Sequence, residues 1–159
     1  MKIKLISVGK IKEKFYREAI SEFEKRLTRY CKLEIVEVAD EKTPDNASDK
    51  EEEIIKSKEA EKISKHIKDG TYIVALCIEG KQLSSEEFAS TISKLGNEGK
   101  SDITFIIGGS LGIHDSIKNK ANLKLSFSKM TFPHQMFKVV LLEQIYRSFR
   151  ITANEPYHK

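Results

Sequence analysis

The stretch Ile103-Thr-Phe-Ile-Ile-Gly-Gly-Ser-Leu-Gly-Ile-His114 passes from a short apolar, β-rich run straight into a glycine-rich turn. Such a run suits a buried strand, and its neighbours along the chain decide which kind of sheet it joins. Runs of the same character occupy Lys2–Val8, Leu33–Ala39, Tyr72–Ile78 and Leu123–Phe127. Between the first two, Phe15, Ala19, Phe23 and Leu27 recur at helical spacing, which predicts an amphipathic helix over Ile11–Tyr30. A charge-rich helix is expected from about Asp49 to Ile67. It is opened by Ser48-Asp-Lys-Glu51, where serine and glutamate each satisfy an orphan backbone donor. A second box, Ser84-Ser-Glu-Glu87, opens a helix ending near Gly96. Strand and helix alternate down the chain, so the fold class is α/β: a mostly parallel sheet with helices on both faces. No linker or internal repeat divides it, and residues 1–159 read as a single domain.

Composition narrows the class further. Of 159 residues, 39% are hydrophobic and 33% charged, which suits a polar folded domain. No apolar run approaches the roughly 20 residues that a membrane helix needs. The N-terminus lacks the features of a signal peptide. Cys31 and Cys77 stand far apart without metal-like or redox-like spacing, so reduced core thiols, no metal and a cytoplasmic location are expected. Net charge is +4, but unevenly spread. From Ile117 onward eight basic residues face only Glu143 and Glu155, a net +6 that leaves −2 for residues 1 to 116. A basic C-terminal third suggests a surface turned to phosphates, although a solvated lysine-rich face would look the same.

In open parallel sheets ligands bind beyond the carboxyl ends of the strands, so the loops after Ile78, Ile107 and Leu125 are the places to inspect. Gly108, Gly109 and Gly112 leave backbone amides accessible but do not match the dinucleotide or P-loop spacings. They read equally as a tight turn. Gly80 and Lys81 read as a turn before the next helix. In Leu125-Ser-Phe-Ser-Lys-Met-Thr-Phe-Pro-His-Gln-Met136, Thr131 is expected to cap a helix whose first turn holds Pro133. That helix, Pro133–Arg150, is apolar around most of its circumference and predicts burial on a second face, by homodimerisation. The terminal Asn154-Glu-Pro-Tyr-His-Lys159 is short enough to fray, yet carries an aromatic ring, an imidazole and a cation suited to a base and a phosphate.

Taken together, Leu-Cys-Ile-Glu-Gly-Lys81, Phe-Ile-Ile-Gly-Gly-Ser-Leu-Gly112, Met-Thr-Phe-Pro-His134, Leu-Leu-Glu-Gln-Ile-Tyr-Arg147 and the Asn-Glu-Pro-Tyr-His-Lys159 tail resemble the trefoil-knotted SPOUT methyltransferases. Within them the chain is most similar to the small bacterial family (RlmH type) that methylates N3 of a pseudouridine in large-subunit (23S) ribosomal RNA. The resemblance implies a knot formed by about residues 103–159 and a single pocket for S-adenosylmethionine. Leu76, Gly108, Phe127, Ser128, Lys129, Met130, Thr131 and Phe132 would hold that cofactor. It implies His158 as general base for the N3 proton with Tyr157 as stacking or positioning partner, and His134 as the rival base. Lys129, Arg147, Arg150 and Lys159 are the expected RNA contacts, on a homodimer acting on assembled ribosomes. The competing readings are a nucleotide-dependent oxidoreductase, disfavoured by the missing fingerprint, and a non-enzymatic RNA-binding factor.

Overall fold

Strand and helix alternate as β1 (Lys2–Val8), α1 (Lys14–Leu27), β2 (Lys32–Val38), α2 (Asp49–Ser64), β3 (Tyr72–Gln82), α3 (Ser85–Asn97), β4 (Asp102–Ile107), α4 (Asp115–Lys118), β5 (Leu123–Ser126) and α5 (His134–Thr152) in a computed structural model of the chain. The structure describes residues 1–158. The five strands pair in the order β2-β1-β4-β3-β5, and every pairing is parallel.

The side-chain period of two sorts each central strand between two cores. Leu5, Val74 and Phe105 point to the face covered by α1, α3 and α5, where they meet Ile20, Phe88, Ile92, Leu141 and Ile145. Ile6, Ala75 and Ile106 point to the opposite face and pack with Ala60 and Ile63 of α2 and Ile117 of α4. Each fully buried Ile, Leu or Phe contributes about 1.5–3 kcal/mol relative to exposure. Both expected capping boxes are formed. The Glu51 and Glu87 amides donate to Ser48 Oγ (3.3 Å) and Ser84 Oγ (3.1 Å), and the two serine amides donate back to the glutamate carboxylates at 2.7 Å.

Four local features differ from the sequence-based expectations. Helix α1 begins at Lys14 rather than Ile11, because residues 11–13 are held extended: Arg17 donates to the carbonyls of Ile11 (3.3 Å) and Lys12 (2.6 Å), and the Lys12 amide donates to Gln135 Oε1 at 2.8 Å. Thr131 does not cap α5; Pro133 is its N-cap residue, with no side-chain cap. The one-turn helix α4 is too short to show a period, and sequence patterning misses it. Finally, Gly80 and Lys81 are not a turn. Strand β3 runs on to Gln82, and both Leu76 and Lys81 pair with Leu125 of β5, so residues 77–80 bulge out between them.

The thiols of Cys31 and Cys77 are free and half-buried, and burial pushes Cys31 up to about 11 and raises Cys77. No helix among the described residues is long and apolar enough to cross a membrane.

The bulge depends on one glycine. A Cβ on Gly80 would stand 2.7 Å from the carbonyl carbons of both Lys124 and Leu125, which are backbone atoms of a paired strand and cannot step aside. Gly80→Ala is therefore expected to destabilise the protein by about 1–3 kcal/mol, as overpacking does. The denaturant midpoint measures this, and an unchanged midpoint would mean that β3 and β5 are not held so close.

Candidate active site

The carboxyl ends of β3, β4 and β5 open into one cavity of about 330 Å³. Its walls are the bulge at Cys77–Glu79, the loop Gly108–Ile113, and the segment from Leu125 to His134 with Phe137 behind it. Of the eight residues expected to hold the cofactor, Leu76, Gly108, Phe127, Ser128, Met130, Thr131 and Phe132 line this cavity. Lys129 is exposed and does not.

Each wall is held by identifiable contacts. In the glycine loop, the Gly112 amide donates to the Gly109 carbonyl at 3.0 Å, and Gly112 takes φ +85°, a left-handed backbone that favours glycine. A Cβ on Gly108 would lie 2.6 Å from the Gly112 carbonyl carbon, so this glycine is required for the loop to close on itself. His114 follows the loop as N-cap of α4. Its Nδ1 accepts from the Ser116 amide (3.1 Å), while its Nε2 meets Glu53 of α2 at 2.8 Å. Lys118 bridges Glu79 of the bulge (2.7 Å) and Asp115 (3.1 Å), which raises the lysine and lowers both carboxylates. In the third wall, Ser126 Oγ donates to the Ser128 carbonyl (3.0 Å) and the Met130 amide donates to Ser128 Oγ (3.0 Å), folding the segment into a compact turn. The amides of Lys129, Thr131 and Phe132 have no protein acceptor among the described residues.

S-adenosylmethionine has a flat apolar base, a polar edge and a charged amino-acid end, and the cavity offers a counterpart to each. Apolar side chains from Leu76, Ile107, Leu125 and Phe127 form its floor, the amides after Ser128 are available as donors, and Lys56 and Lys118 stand at the rim. Its volume falls at the lower end of the roughly 300–1,000 Å³ usual for such ligands.

The tail does not reach this cavity. Tyr157 and His158 are absent from its walls, whereas His134, the rival base, lines it. The Tyr157 hydroxyl donates to Glu143 Oε1 (3.1 Å), and its ring lies under the Arg147 guanidinium at 4.7 Å. Both ring nitrogens of His158 are engaged, Nδ1 by Arg147 at 3.2 Å and Nε2 by Glu86 at 2.7 Å. The Glu86 carboxyl is lowered to about 2, first by a bond from its own backbone amide and then by His158. Thirteen residues separate His134 from Arg147 along α5, a rise of about 20 Å. Arg150 is committed to Glu155, Tyr30 and the Pro156 carbonyl, and Arg147 to Glu143, so both expected RNA contacts are here holding the tail in place. Lys159 lies outside the described residues.

One residue at the site was not visible in the sequence. Glu59 is 4% exposed and sits beneath Gly109, where an added Cβ would come within 3.0 Å of Glu59 Oε2. Its Oε1 accepts from the Glu41 amide at 3.1 Å, and its Oε2 is buried without a partner. In a helix so rich in charge, one more glutamate reads as solvated surface. Burial raises the Glu59 carboxyl above its ordinary 4.5. A raised acid binds its proton more tightly in the folded state, so its contribution to stability falls as pH rises through and above 4.5. Glu59→Gln, which keeps an acceptor for Glu41, should therefore gain stability relative to wild type between pH 4 and pH 7. Denaturant titrations across that range measure it, and a difference that does not vary with pH would contradict the assignment.

Comparison with known proteins covers the whole chain. Residues 1–158 match the family model described as "Predicted SPOUT methyltransferase". The chain is 64% identical over 159 residues to the ribosomal RNA large subunit methyltransferase H of Clostridium beijerinckii, covering 100% of both. It is 62% identical, with the same full coverage, to the proteins of that name from Clostridium botulinum and Bifidobacterium adolescentis. This protein belongs to the SPOUT methyltransferase family.

Proposed function

We propose that this protein transfers the methyl group of S-adenosylmethionine to N3 of a pseudouridine in large-subunit (23S) ribosomal RNA, on assembled ribosomes in the cytoplasm. The observation that carries the reading is the convergence of the three strand-end loops on one cavity with seven of the eight expected cofactor residues in its walls. The full-length relatives, named for ribosomal RNA large subunit methylation, supply the substrate class. In this reading residues 1–159 are one domain, and the segment from about 103 onward is threaded as a trefoil knot.

The bound cofactor supplies a methyl already activated on a sulfonium, so the chemistry is in-line displacement by a ring nitrogen. The protein's own work is to align, to exclude water and to move one proton. Leu76, Phe127 and Phe132 would enclose the cofactor's apolar surface; Gly108 would let the backbone approach closely, and Thr131 and Phe132 would present amides. The N3 proton goes to His158, with Tyr157 placing the base. For His158 to accept it, Arg147 must release Nδ1. His134 is the second candidate because it already lines the cavity.

In this reading the tail, which is absent from the walls of its own chain's cavity, serves the cavity of a second subunit, so the active unit is a homodimer. Exposed apolar side chains at the entrance to α5, among them Met130 (74% exposed), Phe132 and Met136, support such an interface. Lys129, Arg147, Arg150 and Lys159 contact RNA phosphates in that assembly, the two arginines exchanging carboxylate partners for phosphate.

The test is methyl transfer from labelled S-adenosylmethionine to ribosomes from a strain lacking this protein, followed by mapping of the modified nucleotide. Label at one pseudouridine of the large-subunit RNA is expected; label confined to other molecules, or none, would overturn the reading. In the same assay His158→Ala should lower turnover by about a hundredfold or more while cofactor affinity stays near wild type. Unchanged turnover would transfer the proton step to His134.

A further inference from the structure

Counted over three successive segments, the charge has a different shape from a basic tail on a neutral body. Residues 1–32 hold ten basic and four acidic side chains, residues 33–116 ten and eighteen, and residues 117–159 eight and two. Both ends of the chain are basic and the middle is acidic. The fold brings the ends together, since α1 packs beside α5 on one face of the sheet, while the acid-rich α2 covers the other.

The basic N-terminal segment culminates in a wide depression of about 810 Å³ between the last turn of α1 and the start of β2. Lys25, Arg29 and Lys32 border it, with Glu24 as its one acid. Lys32 also borders a smaller hollow shared with Lys2 and Lys68. The acids there are already engaged, Glu34 by Lys4 (3.3 Å) and Asp102 by the Thr71 hydroxyl (3.0 Å). Lys25 and Lys32 are exposed, whereas the neighbouring Arg26 and Arg29 pair with Glu22 and Glu155.

The depression is continuous with the tail. Arg29 donates to Glu155 Oε1 at 2.7 Å and the Tyr30 hydroxyl donates to Glu155 Oε2 at 2.5 Å, so the wall of the depression is also the anchor of the segment that carries Tyr157 and His158. We infer that this depression is a docking surface for RNA phosphates flanking the target nucleotide. The inference rests on the methyltransferase reading above, in which the tail meets the target base. RNA strand adjoining that base must then pass the tail's anchor, where unpaired lysines meet it and the acidic α2 face is turned away.

The test uses Lys25→Glu/Lys32→Glu in the full-length protein, with Lys50→Glu/Lys65→Glu on α2 as a charge-matched control. The first pair should raise KM for ribosomal particles about tenfold near physiological salt and make the dependence of log KM on log salt shallower by about 1.4–1.8, as expected for two lost phosphate contacts. Cofactor affinity should stay that of wild type, and the α2 pair should leave KM unchanged. An unchanged KM and slope for the first pair would overturn the inference, as would an equal rise for both pairs, which would reflect net charge alone. Failure of the wild-type protein to methylate ribosomes would instead overturn the reading on which it rests.

Discussion

The cavity end of the sheet depends on the close approach of β3 to β5 at Gly80. Only hydrogen fits between that α-carbon and the backbone of Lys124 and Leu125. Because β3 grips β5 twice, the intervening residues are expelled as a bulge, and Cys77, Ile78 and Glu79 become a wall of the cavity. Because β5 is held at that register, the chain leaving it passes directly across from the Gly108–Ile113 loop. Lys118 then ties the bulge to α4, which follows the glycine loop, and His114 ties α4 to α2, so two of the walls are braced by charge-assisted bonds. In a cavity lined about equally by polar and apolar surface, such bracing keeps backbone groups where a ligand can use them without reorganisation at binding.

The second constraint is the length of α5. It starts at the cavity with His134 and runs about 27 Å to Thr152, just beyond which Glu155 is clasped by Arg29, Tyr30 and Arg150. Within one chain the tail is thus anchored away from the walls of the cavity. In the proposed homodimer, a two-fold pairing that set the cavity of one chain beside the tail of the other would complete two sites at once. The exposed apolar residues at the start of α5 and the basic surface beside the tail fit that arrangement.

Much of this was legible from residue patterns. The strand runs, both capping boxes and the order of elements depend on local periods and short-range hydrogen bonds, and they appear where the sequence puts them. The converging loops follow from where ligands bind in parallel sheets, and the family motifs picked out their residues. Long-range contacts were not legible. Gly80 looks like a turn until the position of β5 is known, and Thr131 looks like a cap until Pro133 is seen to begin the helix. Glu59 is one acid among many on a charged helix, and only its place beneath Gly109 distinguishes it. Splitting the charge at residue 116 likewise concealed a basic N-terminal segment behind an acidic middle, because α1 and α2 lie on opposite faces of the sheet.

The most direct test of the account is complementation between two inactive proteins, one damaged in the cavity by Gly108→Ala and one in the tail by His158→Ala. Each is first shown to fold and dimerise, and the two are then mixed and allowed to exchange subunits. If cavity and tail act from different chains, half the dimers are mixed and each of these holds one intact site, so methyl transfer should recover to roughly a quarter of wild type. Mixtures that exchange subunits yet stay inactive would contradict the account, since both parts would then be required from one chain.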